Sequence, residues 1–174
     1  MRTLLCLSAL VTVLGGCAKK VDDPRIEFSD VGFSLHLPPP MQQALDSLVP
    51  GFRIVHATSF RSDVSQAAAA MGAVGMPAAF AAIGDFNHDG RIDVVVEGTA
   101  PGDSALRVVA IMNGPKPIAI DVTRFPVFDA DAVGIYLSIP PTGVAGAFEV
   151  VDYPDSTVLY QYADGALKGS NIKQ

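Results

Sequence analysis

From residue 93 onward, apolar and polar residues alternate with the period of two that is typical of β-strands. Short runs rich in Val, Ile, Phe and Tyr are separated by Gly and Pro at the spacing of hairpin turns. Asp164-Gly165, between two such runs, is the signature of a type I′ turn. The predicted strands are residues 28–37 and 52–60, a short strand just before residue 85, and residues 93–97, 106–112, 118–123, 134–139, 148–153 and 158–162.

Two segments have the pattern of helices instead. Residues 41–49 are apolar at 41, 44, 45, 48 and 49, follow three prolines and end at Pro50-Gly51. Residues 63–71 are predicted as a short helix. They overlap the uncharged, Ala-rich stretch 64–84, in which Ala is too weakly hydrophobic and Gly and Pro are too frequent for a membrane span. The sequence therefore predicts an α+β domain that is predominantly antiparallel β, with one sheet and one or two short helices.

The N-terminus has the three parts of a secretory signal. Arg2 supplies the positive start, residues 4–16 are apolar, and the stretch ends in Leu14-Gly15-Gly16-Cys17. It is shorter than the roughly 20 residues that a membrane span needs. The Leu-Gly-Gly-Cys ending resembles the lipobox of bacterial lipoproteins, and this resemblance implies cleavage before Cys17 and lipidation of Cys17. An ordinary signal peptide cut elsewhere and an anchor helix are the alternatives.

The lipoprotein interpretation sets the domain boundaries and the location. Residues 1–16 are the signal peptide, 17–27 are the lipidated Cys and a polar tether, and 28–174 are one globular domain. Cys6 leaves with the signal, so the mature domain has no disulfide and no cysteine metal site. We expect attachment to the membrane through Cys17, in the outer membrane facing the periplasm, since Ala18 is not the Asp that retains many lipoproteins at the inner membrane.

Composition limits the classes of partner. The formal net charge is −6, and removal of residues 1–16 takes away Arg2 and makes the mature protein more acidic. An acidic domain argues against nucleic acid or anionic lipid as the main partner. Hydrophobic residues make up 49 % of the chain and charged residues 17 %, which is ample for a packed core.

The most specific motif is the segment 85–93, Asp-Phe-Asn-His-Asp-Gly-Arg-Ile-Asp. Gly90 at position 6 allows a sharp turn, and Arg91 at position 7 can offer its backbone carbonyl. This spacing of hard oxygen donors predicts a Ca²⁺ site, and an Asx-rich turn that binds nothing is the alternative. Oxygen-bearing side chains stand at positions 1, 3, 5 and 9: Asp85, Asn87, Asp89 and Asp93.

An EF-hand does not fit this loop. Its position 12 should be a bidentate Glu, whereas Val96 stands there and Glu97 comes one place late. The β-branched run after the loop favours a strand over a helix. Strand, loop and strand resemble the FG-GAP or VCBS type of calcium repeat, which implies ligand roles for the loop residues. The motif occurs once, so a complete β-propeller is not expected.

A second, looser resemblance covers two outer segments. Residues 49–54, Val-Pro-Gly-Phe-Arg-Ile, and residues 157–165, Thr-Val-Leu-Tyr-Gln-Tyr-Ala-Asp-Gly, look similar to segments of small secreted bacterial domains. This resemblance implies no activity.

Catalytic signatures are weak. His36, His56 and His88 have no ligand spacing between them, and no Gly-x-Ser-x-Gly motif is present. A pair of catalytic carboxylates, as in a glycoside hydrolase, stays an open alternative, because the sequence does not give the distance between two carboxyl groups. The sequence therefore favours a calcium-binding, lipid-anchored envelope protein with a structural or protein-interaction role. The alternatives are a hydrolytic enzyme, or a glycan or small-molecule binder, with its site on the loops.

Overall fold

The computed structural model describes residues 22–29, 32–72, 79–126, 132–140 and 144–172. The predicted signal peptide and Cys17 lie outside these residues. The helices are α1 (Pro39–Leu48) and α2 (Ser62–Gly72). The strands are β1 (Arg25–Ser29), β2 (Gly32–His36), β3 (Arg53–Ile54), β4 (Ala81–Gly84), β5 (Asp93–Thr99), β6 (Ala105–Met112), β7 (Ile118–Pro126), β8 (Ile135–Ser138), β9 (Ala147–Asp152), β10 (Ser156–Ala163) and β11 (Ala166–Ile172).

The strands form three antiparallel sheets. The largest has the order β3-β5-β6-β7, with β4 also paired to β5; the second has the order β11-β10-β9-β8; β1 and β2 form a separate hairpin. The predicted α+β class, predominantly antiparallel and without a complete propeller, is confirmed. The prediction of a single sheet is wrong. One continuous core draws its residues from both larger sheets, because strands that are apolar on both faces need a second layer to cover them.

The N-terminal boundary differs slightly from the predicted one. β1 begins at Arg25, within the segment 17–27 that was assigned to the tether, and Arg25 pairs with His36 of β2. Among the described residues, the ordered domain therefore includes the last three residues of that segment.

Strand β5 lies at the centre of the fold. Val94, Val95 and Val96 have 0 % exposure. One edge of β5 pairs with β6, while β4 pairs along its first half and β3 at Gly98 and Thr99. The strand is thus enclosed on every side.

The helices cover the sheets. α1 begins with Pro39, whose fixed φ suits the first helical position, and buries Met41 and Leu45 as it packs on β6 and β7. α2 lies beside β8 and buries Val64 completely. Neither helix, nor any other in the described part of the chain, combines the length and apolarity needed to cross a membrane.

The hairpin between β10 and β11 turns at Asp164-Gly165, as predicted. Ala163 pairs with Ala166, and the two turn residues have φ values of 53° and 79°. Positive φ at both central residues defines the type I′ turn, whose twist matches that of the flanking strands.

A buried carboxyl group interrupts the apolar core. Glu97 of β5 is 0 % exposed, and neither of its carboxyl oxygens has a hydrogen-bond partner among the described residues. Burial raises the pKa of Glu97 well above its usual range, since the charged form would lose its hydration without compensation. The folded protein therefore keeps the proton of Glu97 to a higher pH than the unfolded chain does.

This arrangement predicts a pH-dependent stability penalty. Because the folded pKa is raised, the unfolded chain releases the proton first, and stability is lost as the pH rises above about 4.5. Glu97→Leu should remove that loss, so its gain over wild type should grow as the pH rises above about 4.5, by up to about 1.4 kcal/mol per pH unit, until the pH reaches the raised pKa of the folded state. Urea unfolding at several pH values measures this difference. If the free energy of unfolding changes with pH equally in the two proteins, the raised pKa of Glu97 in the folded state is contradicted.

Candidate metal centre

The predicted calcium loop joins two paired strands. β4 ends at Gly84, β5 begins at Asp93, and these two residues are partners in the antiparallel ladder. Between them the chain reverses with φ of 60° at His88 and 81° at Gly90. The loop therefore has the strand–loop–strand arrangement expected from the β-branched run after it, not that of an EF-hand.

The first three predicted side chains come together at the tip of this loop. Oδ1 of Asp85 and Oδ1 of Asn87 each accept a hydrogen bond from the amide of Asp89, both at 3.1 Å. Oδ2 of Asp85 accepts from the amide of Gly90 at 3.0 Å. Oδ1 of Asp89 accepts from the amide of Arg91 at 2.9 Å. Two side-chain oxygens thus converge on one point of the loop.

Asp93 occupies a different environment. It is 0 % exposed, and its carboxylate accepts hydrogen bonds from the amides of Phe86, Asn87 and Asn113. Burial raises the pKa of Asp93, and the three amide donors oppose that rise because they favour the charged form. Asp93 therefore joins the loop to the end of β6.

The donor set suits a hard cation. Carboxylate, amide and carbonyl oxygens are the ligands of Ca²⁺, and the Oδ1 atoms of Asp85 and Asn87 already lie near each other. Asp89 faces the same region, since its Oδ2 accepts a 3.3 Å hydrogen bond from Nδ2 of Asn87. The residues therefore fit Ca²⁺ by chemistry. In the described ranges, however, no group of three or more His, Cys, Asp or Glu side chains is arranged to hold a metal ion.

An aromatic stack fixes the base of the loop. Phe86 is 1 % exposed, and its ring lies over Gly84, where an added Cβ would come within 3.2 Å of Cε1. The ring also meets Phe148 of β9 edge to face, with centroids 5.2 Å apart. Phe148 stacks in turn on Tyr160 of β10 at 5.3 Å. The loop is thereby packed against the second sheet.

The segment before β9 touches the outer side of the loop. Gly146 has φ of 69°, and a Cβ on it would collide with the imidazole ring of His88 and lie 3.0 Å from the carbonyl oxygen of Phe86. His88 is exposed at position 4, and its imidazole ring lies beside Gly146. Only a residue without a side chain fits at 146.

Sequence reasoning missed a cleft of about 600 Å³ between α1 and the turn after β6. Leu48 was counted on the buried face of the helix, yet it is 40 % exposed, and Ile118 on the opposite wall is 49 % exposed. The sequence signal was present as three prolines and two alanines, but it lies on two segments that only the fold brings together. The lining residues are Pro40, Gln43, Ala44, Ser47, Leu48, Pro115, Lys116, Pro117, Ile118 and Ala119.

Comparison with known proteins adds no relative. No protein family, curated protein or solved structure matches this chain.

The turn at Gly90 can be tested against a matched glycine. Gly90 and Gly114 both have open space where a Cβ would stand, but only Gly90 has a positive φ. Gly90→Ala should destabilise the protein by about 1 kcal/mol through backbone strain alone. Gly114→Ala should be neutral or slightly stabilising, and thermal unfolding of the two variants measures the difference. Equal melting temperatures would show that the loop does not need its left-handed residue.

Proposed function

We propose that this protein is a calcium-binding, lipid-anchored protein of the bacterial cell envelope, whose domain is a structural or protein-interaction module. The observation that supports it most is the convergence of the Asp85 and Asn87 oxygens on the Asp89 amide, in a loop turned by Gly90. The proposed ligands are the side chains of Asp85, Asn87, Asp89 and Asp93 and the backbone carbonyl of Arg91.

Calcium would relieve a local accumulation of charge. Three Asp side chains around one divalent cation leave a charge of about −1, and a site of this kind outside the cell is expected to have a dissociation constant of about 10⁻⁵ to 10⁻³ M. Without the cation, backbone amides and the side-chain amide of Asn87 supply the only compensation among the contacts described for Asp85 and Asp89. Ion binding would therefore stabilise the folded state and leave the unfolded chain unaffected.

The cleft supports an interaction role over glycan binding. Leu48 and Ile118 are two of four large hydrophobic side chains that are exposed in the described part of the chain, and both line this cleft. The lining contains no aromatic ring on which a sugar could stack, and Lys116 is its only charged residue. Such a surface is better suited to an apolar segment of another protein.

Calcium should raise the melting temperature of the soluble domain. At ten times its dissociation constant, Ca²⁺ should add about 1.4 kcal/mol through mass action. For a domain of this size that corresponds to about 3–6 °C, measured by thermal unfolding with Ca²⁺ and with chelator. Asp89→Ala should abolish the response, because it removes a central ligand without altering the core.

The matched control for this experiment is Asp46→Ala. Asp46 is an exposed carboxylate on α1, where it accepts a hydrogen bond from Gln42. The variant should keep the full calcium response. A wild-type melting curve that is the same in Ca²⁺ and in chelator would reduce the loop to an Asx-rich turn.

The chain's two cysteines allow a matched test of the lipid anchor. Cys17→Ser should abolish labelling with radioactive palmitate and move the protein from the membrane to the soluble periplasmic fraction. Cys6→Ser should leave both unchanged, since Cys6 is expected to leave with the signal peptide. Membrane retention of Cys17→Ser equal to that of wild type would exclude lipid anchoring at this residue.

A further inference from the structure

The two oxygens of Asp93 serve two segments that are distant in sequence. Oδ2 accepts the amides of Phe86 at 2.9 Å and Asn87 at 3.3 Å, within the loop. Oδ1 accepts the amide of Asn113 at 2.7 Å, immediately after β6. A single buried side chain therefore connects positions 2 and 3 of the loop to the far end of the neighbouring strand.

The other loop carboxylates make only local contacts. Among the described hydrogen bonds, those of Asp85 and Asp89 come from residues within the loop itself. Asp89 is exposed and Asp85 is half-buried, whereas Asp93 has no exposed surface. Asp85 and Asp89 can shape the tip of the loop, but of these three carboxylates only Asp93 has a described hydrogen bond from outside the loop, at the end of β6.

We propose that Asp93 is the positioning residue of this loop, which holds the Asp85 and Asn87 oxygens near each other before any cation arrives. Asn87 shows how this works. Its amide is held by Asp93, while its side-chain oxygen accepts from the Asp89 amide. Because the backbone of Asn87 is fixed, its side chain starts from a fixed Cα position. Less conformational entropy is then lost when a cation binds, so binding costs less free energy.

The role requires a carboxylate and not an amide. Asp offers two acceptor oxygens, one for each segment, whereas Asn offers one acceptor and an NH₂ donor. In Asp93→Asn the NH₂ group would face either the Asn113 amide or the amides of Phe86 and Asn87. One of the two connections must therefore break, although the side chain keeps its size.

Amide hydrogen exchange by NMR, in the presence of chelator, tests the proposal without any bound ion. In the wild-type protein the amides of Phe86, Asn87 and Asn113 should exchange more slowly than those of Gly90 and Arg91. In Asp93→Asn, hydrogen exchange should become about tenfold faster or more either at the two loop amides, Phe86 and Asn87, or at the Asn113 amide. Asp89→Asn, which makes the same change of charge in the same loop, should leave these three amides protected.

Calcium affinity separates a positioning role from a merely structural one. The aligned groups are cation ligands only if the proposed function holds, so affinity is measured by calorimetry at a temperature where each variant is fully folded. We expect the dissociation constant of Asp93→Asn to rise by about tenfold or more. Unchanged exchange in chelator together with weakened calcium binding would make Asp93 a direct ligand only, and would overturn the proposal.

Two further outcomes are also decisive. If wild-type protein binds no calcium while Asp93→Asn still loses amide protection, the proposed function fails and the positioning role of Asp93 in the loop stands. If Asp93→Asn does not fold, hydrogen exchange of the wild-type protein in chelator tests the proposal instead. Rapid exchange of the Phe86, Asn87 and Asn113 amides in chelator would then overturn the proposal.

Discussion

Strand β5 has no side that faces solvent, and the other elements are arranged around that constraint. Its residues 93–98 are all buried. A strand in this position needs a hydrogen-bonded neighbour on both edges and a packed layer on both faces. β6 covers one edge, and β3 and β4 share the other. Gly98 is required there, since a side chain would collide with Phe52 and with the carbonyl of Arg53.

The same strand carries two buried carboxyl groups, one with hydrogen-bond donors and one without any among the described residues. Asp93 and Glu97 are four residues apart and so project from the same face of β5. Asp93 lies at the start of the strand, where two loop amides and the amide of Asn113 converge on it and stabilise its charged form. Glu97 lies in the middle, where the backbone amides are already engaged in the ladder. The position of a buried carboxyl group along this strand thus decides whether backbone amides are free to donate hydrogen bonds to it.

The loop between β4 and β5 is also one of the places where the two larger sheets are in contact. Phe86 at its base packs against Phe148 of the second sheet, and His88 lies over Gly146 just before β9. An ion bound in this loop would stabilise the contact between the sheets as well as the loop. The described residues contain no cysteine, so such an ion would act there as a cross-link that no disulfide supplies, as the proposed structural role of calcium requires.

Local patterns in the sequence determined much of the fold. Period-two alternation determined antiparallel strands, the apolar spacing of residues 41–49 determined α1, and Asp164-Gly165 determined its hairpin. These succeed because backbone geometry and side-chain period act within a few residues. The spacing of residues 85–93 likewise determined a turn in which Asp85 and Asn87 project to one point.

Tertiary structure alone decided the rest. The number of sheets, the exposure of Leu48 and the isolation of Glu97 each depend on which elements pack together. The clearest case is Asp93, which the spacing identified as one ligand among several. Its partner Asn113 is 20 residues away, and pairing of β5 with β6 brings them together. Hydrogen bonds across such separations follow from chain topology, which a local pattern of residue types does not encode.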